Sequence, residues 1–150
     1  MKSEEMEKDA SSLAHLTFNL LNTCQQKESI FAEQYGLTQA EFRCLKMFDK
    51  KEIINNKTIA KRMGLSASRL TRIIDGLVAK GYSEREINPN DRRNMNVSLS
   101  KKGTLLAQKL NQAYTNIHKE LLDHIEVSEH KPMIHAMTIL SSAMEKWIAK

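Results

Sequence analysis

The chain has 150 residues, 41% of them hydrophobic and 27% charged, which suits one soluble domain with a helical annex and excludes a disordered chain. Its formal net charge of +5 is concentrated: residues 57–103 hold 11 basic and 4 acidic side chains, against 7 and 9 in residues 1–56 and 5 and 5 in residues 104–150. No apolar run approaches the roughly 20 residues of a membrane span, and the charged start MKSEEMEKDASS lacks the apolar core of a signal peptide, so a cytoplasmic protein is expected.

In chain order, residues 11–35 set Leu13, Leu16, Leu20, Cys24 and Phe31 on one face of an amphipathic helix, and Gly36 is its stop. Thr38 and Glu41 frame a capping box for a second helix, whose apolar face is Phe42, Leu45 and Phe48. Residues 50–56, KKEIINN, read as a polar connection with a small apolar centre. Thr58 is expected to cap a short helix, IAKRM, that turns Ile59, Ala60 and Met63 inward and ends at Gly64 in a left-handed conformation.

Ser66 then caps ASRLTRIIDGLVAK, where Leu70, Ile73, Ile74 and Leu77 fall at i, i+3, i+4 and i+7. The opposite side carries Ser68, Thr71, Arg72 and Asp75, with Arg69 at the margin, and Gly81 is the stop. Two helices joined by a short, glycine-containing turn form a helix-turn-helix. After Gly81 the period shifts, and YSEREI and NMNVSLS are expected to be two strands around the turn NPNDRRN, residues 88–94.

From Lys102 the helical period returns, with Leu106, Leu110, Ala113, Ile117 and Leu121 on one face. Ser128 is expected to cap a last helix with Pro132 in its first turn, followed by Met133, Met137, Leu140, Met144 and Trp147 at steps of four and three. Both ends are more apolar than a small winged lobe can cover, so they cover each other or a second copy of the chain. The expected fold class is mainly α (α+β). A winged helix-turn-helix lobe, residues 36–103, lies between an N-terminal dimerisation helix, residues 1–35, and C-terminal dimerisation helices, residues 104–150.

Side chains near the N-terminal end of the second helix of such a pair can read a B-DNA major groove. Here they are Ser66, Ser68, Arg69, Thr71 and Arg72, with Thr58 at the start of the first helix. Hydroxyls and helix-terminal amides hold phosphates, and an arginine can pair bidentately with guanine. A solvated polar helix face is the plain alternative. The turn's Asp91, Arg92 and Arg93 by themselves make an exposed salt bridge of ~0–1 kcal/mol. Placed after a helix pair they form a wing tip, with Asp91 tethering Arg93 toward a minor groove and Arg92 free for a phosphate.

The runs LTQAEFRCL, TIAKRMGLSASRLTRIIDGLVAKGY and REINPNDRRNMNVSLSKKG together resemble the MarR family of winged-helix regulators, densely over residues 36–103 and by layout in the flanking helices. The resemblance implies a recognition helix in the major groove and the arginine matching Arg93 in the minor groove, held by the acid matching Asp91. It also implies interlocked terminal helices in a homodimer, a pseudo-palindromic double-stranded operator, and a repressor released by a small organic effector whose site is unknown. Ser83 departs from the family pattern, where an apolar β-branched residue is common, and leaves the first wing strand weakly anchored.

Two other readings remain. Cys24 and Cys44 raise thiol-based redox sensing, although both continue apolar helix stripes and so read as packed residues. A nonspecific architectural DNA-binding protein would share the basic centre. The histidines at 15, 118, 124, 130 and 135 form no compact metal motif, and no cofactor is implied. No nucleophile elbow, P-loop or dinucleotide loop is present, so no enzyme is expected.

Overall fold

A computed structural model describes residues 1–48 and 52–150. Among these the order is α1 (Lys2–Gln34), α2 (Gln39–Leu45), β1 (Ile53–Asn55), α3 (Asn56–Met63), α4 (Ala67–Ala79), β2 (Ser83–Asn88), β3 (Asp91–Leu99), α5 (Lys101–Asp123) and α6 (Val127–Ile148). The chain divides into two compact units, Met1–Gln108 and Lys109–Lys150. No helix among the described residues is long and apolar enough to cross a membrane.

In the first unit, α1 extends to Lys2, where Glu4 and Glu5 complement the positive end of the helix dipole. It stops as expected at Gly36, whose amide bonds to Glu33 while Leu37 reaches back to Ala32. Thr38 and Glu41 form the expected capping box: Thr38 Oγ1 accepts from the Glu41 amide at 3.1 Å, and Glu41 Oε1 accepts from the Thr38 amide at 2.9 Å. Arg43 and Gln39 of α2 donate to Glu28 of α1. Burial alone would raise the Glu28 carboxyl, but those hydrogen bonds, together with the Arg43 charge, bring it below its ordinary value.

Glu41 also does more than cap. It is 4% exposed, and its Oε1 accepts from Lys80 Nζ at 2.6 Å. Lys80 is the C-cap of α4, and the same ammonium donates to the Gly36 carbonyl at 2.9 Å. One carboxylate thus ties the start of α2 to the end of α4. Gly76 makes room for it, since a Cβ there would lie 2.5 Å from Glu41 Oε2.

The start of α3 corrects the expectation. Asn55, the last residue of β1, is extended and its side chain accepts from the Lys57 amide at 2.9 Å. The helix therefore begins at Asn56, and Thr58 lies exposed in its first turn instead of capping it. Gly64 ends α3 at φ +65°, and Ser66 Oγ accepts from the Arg69 amide to start α4, both as expected. Leu70, Ile74 and Leu77 of α4 are buried with Ile59, Phe42, Leu45 and Val97 in one core.

The sheet is antiparallel in the order β1-β3-β2. Strand β1 stands where a polar connection is expected. It sets Ile54 across from Val97 and buries it, while Lys50 and Lys51 of the same stretch lie outside the described residues. The hairpin turn is tighter than expected. Asn88 Oδ1 accepts from the Asn90 amide and closes the turn at Pro89–Asn90, so Asp91, Arg92 and Arg93 belong to β3. Ser83 lies opposite Leu99, 3% exposed, and its hydroxyl has no hydrogen-bond partner among the described residues. That orphan weakens the wing root by about 1–3 kcal/mol.

In the second unit, His130 Nε2 donates to the carbonyls of Leu122 and Ile125, 2.8 and 2.9 Å away, and so satisfies the end of α5. Helix α6 starts at Val127 with Glu126 at the N-cap and no side-chain cap bond. Ser128 is therefore inside the helix and Pro132 falls in its second turn, one turn later than expected. Met137, Met144 and Trp147 of α6 are exposed, as are Leu13, Leu16 and Leu20 of α1.

Gly76→Ala tests the contact between α2 and α4. To clear a new methyl, Glu41 Oε2 must move, which strains the bonds that Oε1 of the same carboxylate makes to Lys80 and Thr38. The variant should lose about 1–3 kcal/mol of unfolding free energy, although alanine is the better helix former by roughly 1 kcal/mol. An unchanged or raised urea midpoint would show that Glu41 steps aside freely.

Candidate nucleic-acid interface

Three segments build one basic concavity: the start of α3, the start of α4 and the wing formed by β2 and β3. Their side chains line a hollow of ≈ 870 Å³ that includes Lys57, Ser68, Thr71, Asp91, Arg92 and Arg93 together with the apolar Ala60, Ala67 and Met95. Of the residues singled out from sequence, Ser68, Thr71, Asp91, Arg92 and Arg93 meet here. Thr58, Ser66, Arg69 and Arg72 are exposed in the same lobe but outside that lining.

The hydroxyls are partly engaged within the chain. Ser66 Oγ caps α4 and sits 3.4 Å from Ser68 Oγ, while Thr71 Oγ1 donates to the Ala67 carbonyl at 2.9 Å. Thr71 therefore presents lone pairs outward and must rotate to donate to a phosphate.

The guanidiniums are not engaged. Arg69, Arg72, Arg92 and Arg93 make no ion pair among the described residues, in contrast to Arg43 with Glu28, Lys80 with Glu41 and Arg85 with Asp75. Of the two acids nearest these arginines, Asp75 is paired with a cation and Asp91 bonds the backbone. Asp75 of α4 takes Arg85 of β2, a pairing that also ties the wing to the second helix of the pair. Asp91 Oδ1 accepts from the backbone amide of Arg93 at 3.0 Å. The expected tether thus acts on the Arg93 main chain and not on its guanidinium: a short acidic side chain bonds the backbone amide two residues on. Four free, permanently charged forks on one lobe suit a polyanion with regularly spaced phosphates.

Two asparagines were missed from sequence. The Asn55 side chain donates to Asn94. Asn56, 6% exposed, donates through Nδ2 to the Arg93 carbonyl at 2.9 Å and accepts through Oδ1 from the Met95 amide at 3.3 Å. An Asn-Asn pair before a helix signals a cap, but nothing local says that the second one turns toward a strand 37 residues on. Arg85 likewise sits in an expected strand, and nothing local marks its pairing with Asp75. No group of three or more His, Cys, Asp or Glu side chains among the described residues could hold a metal ion.

Comparison with known proteins agrees with this geometry. The MarR family model matches residues 37–95. The multiple antibiotic resistance protein MarR of Escherichia coli K12 is 29% identical over 115 residues, covering 73% of this chain and 80% of that protein. The crystal structure of apo wild-type MarR from E. coli superposes with a TM-score of 0.74 at 24% identity, over 85% of this chain and 95% of that one. Streptococcus pneumoniae FabT in complex with DNA superposes with a TM-score of 0.72 at 18% identity, over 91% of this chain and 98% of that one.

The thiols are differently placed. Cys44 is fully buried, and burial first, then the Glu41 charge, pushes its thiol up to about 12. Cys24 is half-buried on α1. A thiol with a raised value stays protonated and unreactive through the neutral range. At pH 8 an alkylating reagent should therefore modify Cys24 alone in the folded protein, and Cys44 only after denaturant is added. Rapid labelling of Cys44 without denaturant would reopen a redox role for it.

Proposed function

We propose, from the premise that this chain belongs to the MarR family of winged-helix transcriptional regulators, that it binds double-stranded DNA sequence-specifically as a homodimer. The observation that carries the reading is the surface formed by the exposed start of α4 and the wing: Arg92 and Arg93 line the hollow, Arg69 and Arg72 are exposed on the same lobe outside it, none of the four makes an ion pair among the described residues, and Asp75 is held by Arg85. The DNA-bound FabT structure shares the fold and supports the same partner class.

In this reading α4 enters a major groove. Arg69 reads a base edge, while Ser66, Ser68, Thr71, Arg72 and Thr58 hold the flanking phosphates. The backbone ridge between the grooves seats in the hollow beside Arg92. Arg93 reaches the adjacent minor groove, whose negative potential is deepest over A·T tracts, and Asp91 keeps its main chain in place.

The exposed leucines of α1 and the exposed Met137, Met144 and Trp147 of α6 support dimerisation through residues 1–35 and 104–150. Two-fold symmetry then calls for a pseudo-palindromic operator with half-sites one helical turn apart, roughly 34–36 Å. A cytoplasmic repressor released by a small organic effector is the regulatory form that the family resemblance favours.

A competition titration at one stated salt concentration tests this. The protein should prefer a palindromic duplex over random DNA by roughly 10³-fold or more. Arg72→Ala should weaken binding to all duplexes alike, and Arg69→Ala should change sequence preference by about 1–3 kcal/mol. Arg93→Ala should weaken binding most where the flanks are A·T-rich. Equal affinity for random and palindromic duplexes would favour an architectural protein instead, and a monomer at micromolar concentration would remove the dimer.

A further inference from the structure

We propose that Asn56 is the positioning residue that aims Arg93, a role that rests on the reading of Arg93 as the minor-groove contact. The sheet does not hold Arg93. Across the wing the ladder pairs Ile87 with Met95 and then jumps to Asn88 with Asp91, so Arg92, Arg93 and Asn94 have no partner in β2. Nor does β1 reach them, because its pairing with β3 ends at Asn55 opposite Asn96.

Two side chains replace the missing strand. Asp91 takes the Arg93 amide, and Asn56 takes the Arg93 carbonyl and the Met95 amide. Arg93 is thereby fixed at both polar backbone atoms. Asn56 is the buried member of this pair and the first residue of α3, the helix that precedes α4 in the helix-turn-helix. The wing arginine is therefore referenced to the helix pair through an amide side chain and not through the hairpin. An arginine so placed loses less freedom on entering a groove than one on an unpaired strand.

Two variants of the full chain separate aiming from folding. Asn56→Ala removes both bonds. Asn56→Ser keeps an uncharged polar group in the first turn of α3, but its side chain is too short to donate to Arg93. The probe is the duplex that the wild-type protein enriches from random DNA, made with A·T-rich or G·C-rich flanks. Both variants should bind the A·T-flanked duplex roughly tenfold more weakly, the scale of one lost buried hydrogen bond, and the G·C-flanked duplex within about twofold of wild type. In an Arg93→Ala background neither should cost anything further. In the free protein the Arg93 amide order parameter should fall from a rigid value of roughly 0.85 toward 0.6.

Equal losses on both flanks, or a loss that persists without the Arg93 side chain, would overturn the proposal. So would an unchanged Arg93 order parameter. If Arg93→Ala alone binds both duplexes as wild type does, the wing reading itself fails, a result separate from the Asn56 comparison. Should Asn56→Ala not fold, Asn56→Ser carries the same test.

Discussion

A carboxylate that is almost wholly withdrawn from water must be matched by donors, and Glu41 is matched by two: the Thr38 amide and the Lys80 ammonium. Those partners belong to the start of α2 and the end of α4. The pairing fixes how far α4 slides along α2, and the glycine at position 76 fixes how closely the two approach. Lys80 adds the Gly36 carbonyl, so the turn that ends α1 is tied to the same point. An ion pair of this kind contributes specificity of register more than net stability, because desolvation offsets much of its attraction.

With α4 held at its C-terminal end, its capped N-terminal end is free to present Ser68, Arg69, Thr71 and Arg72 to a partner. The rest of the lobe is referenced to that helix. Arg85 joins β2 to Asp75 of α4, and Asn56 joins β3 to the start of α3. The wing is consequently not a free hairpin, although its tip is exposed and its root contains the unsatisfied Ser83 hydroxyl. Side-chain bonds from the helix pair provide what a weakly anchored strand cannot.

Features set by neighbours in sequence were legible before the structure. The Leu70–Leu77 spacing, the Thr38–Glu41 box and the glycine stops at 36 and 64 are local, and each acts where the spacing placed it. Features set by distant residues were not legible. Strand β1 is three residues long, too short for a period, and exists because β3 offers it an edge. Thr58 lost the cap to Asn55 because the end of that strand sets where α3 begins. Pro132 lies in the second turn of α6 and not the first because the helix starts at Val127, with no side-chain cap to mark it. In the candidate site the arginines and Asp91 were legible by type and place. The partner of Asp91, and the existence of Asn56 as a brace, were not, since both depend on how β3 leaves the ladder near the wing tip.

The central claim is that a fixed recognition helix and a braced wing together read two grooves of one DNA half-site. Selection of bound duplexes from a random pool by the full chain tests it most directly. The expected product is an inverted repeat in which each half-site carries a conserved core for α4 and an adjoining A·T-rich flank for Arg93. A pool that enriches no consensus, or one whose flanks are indifferent to base composition, would contradict it.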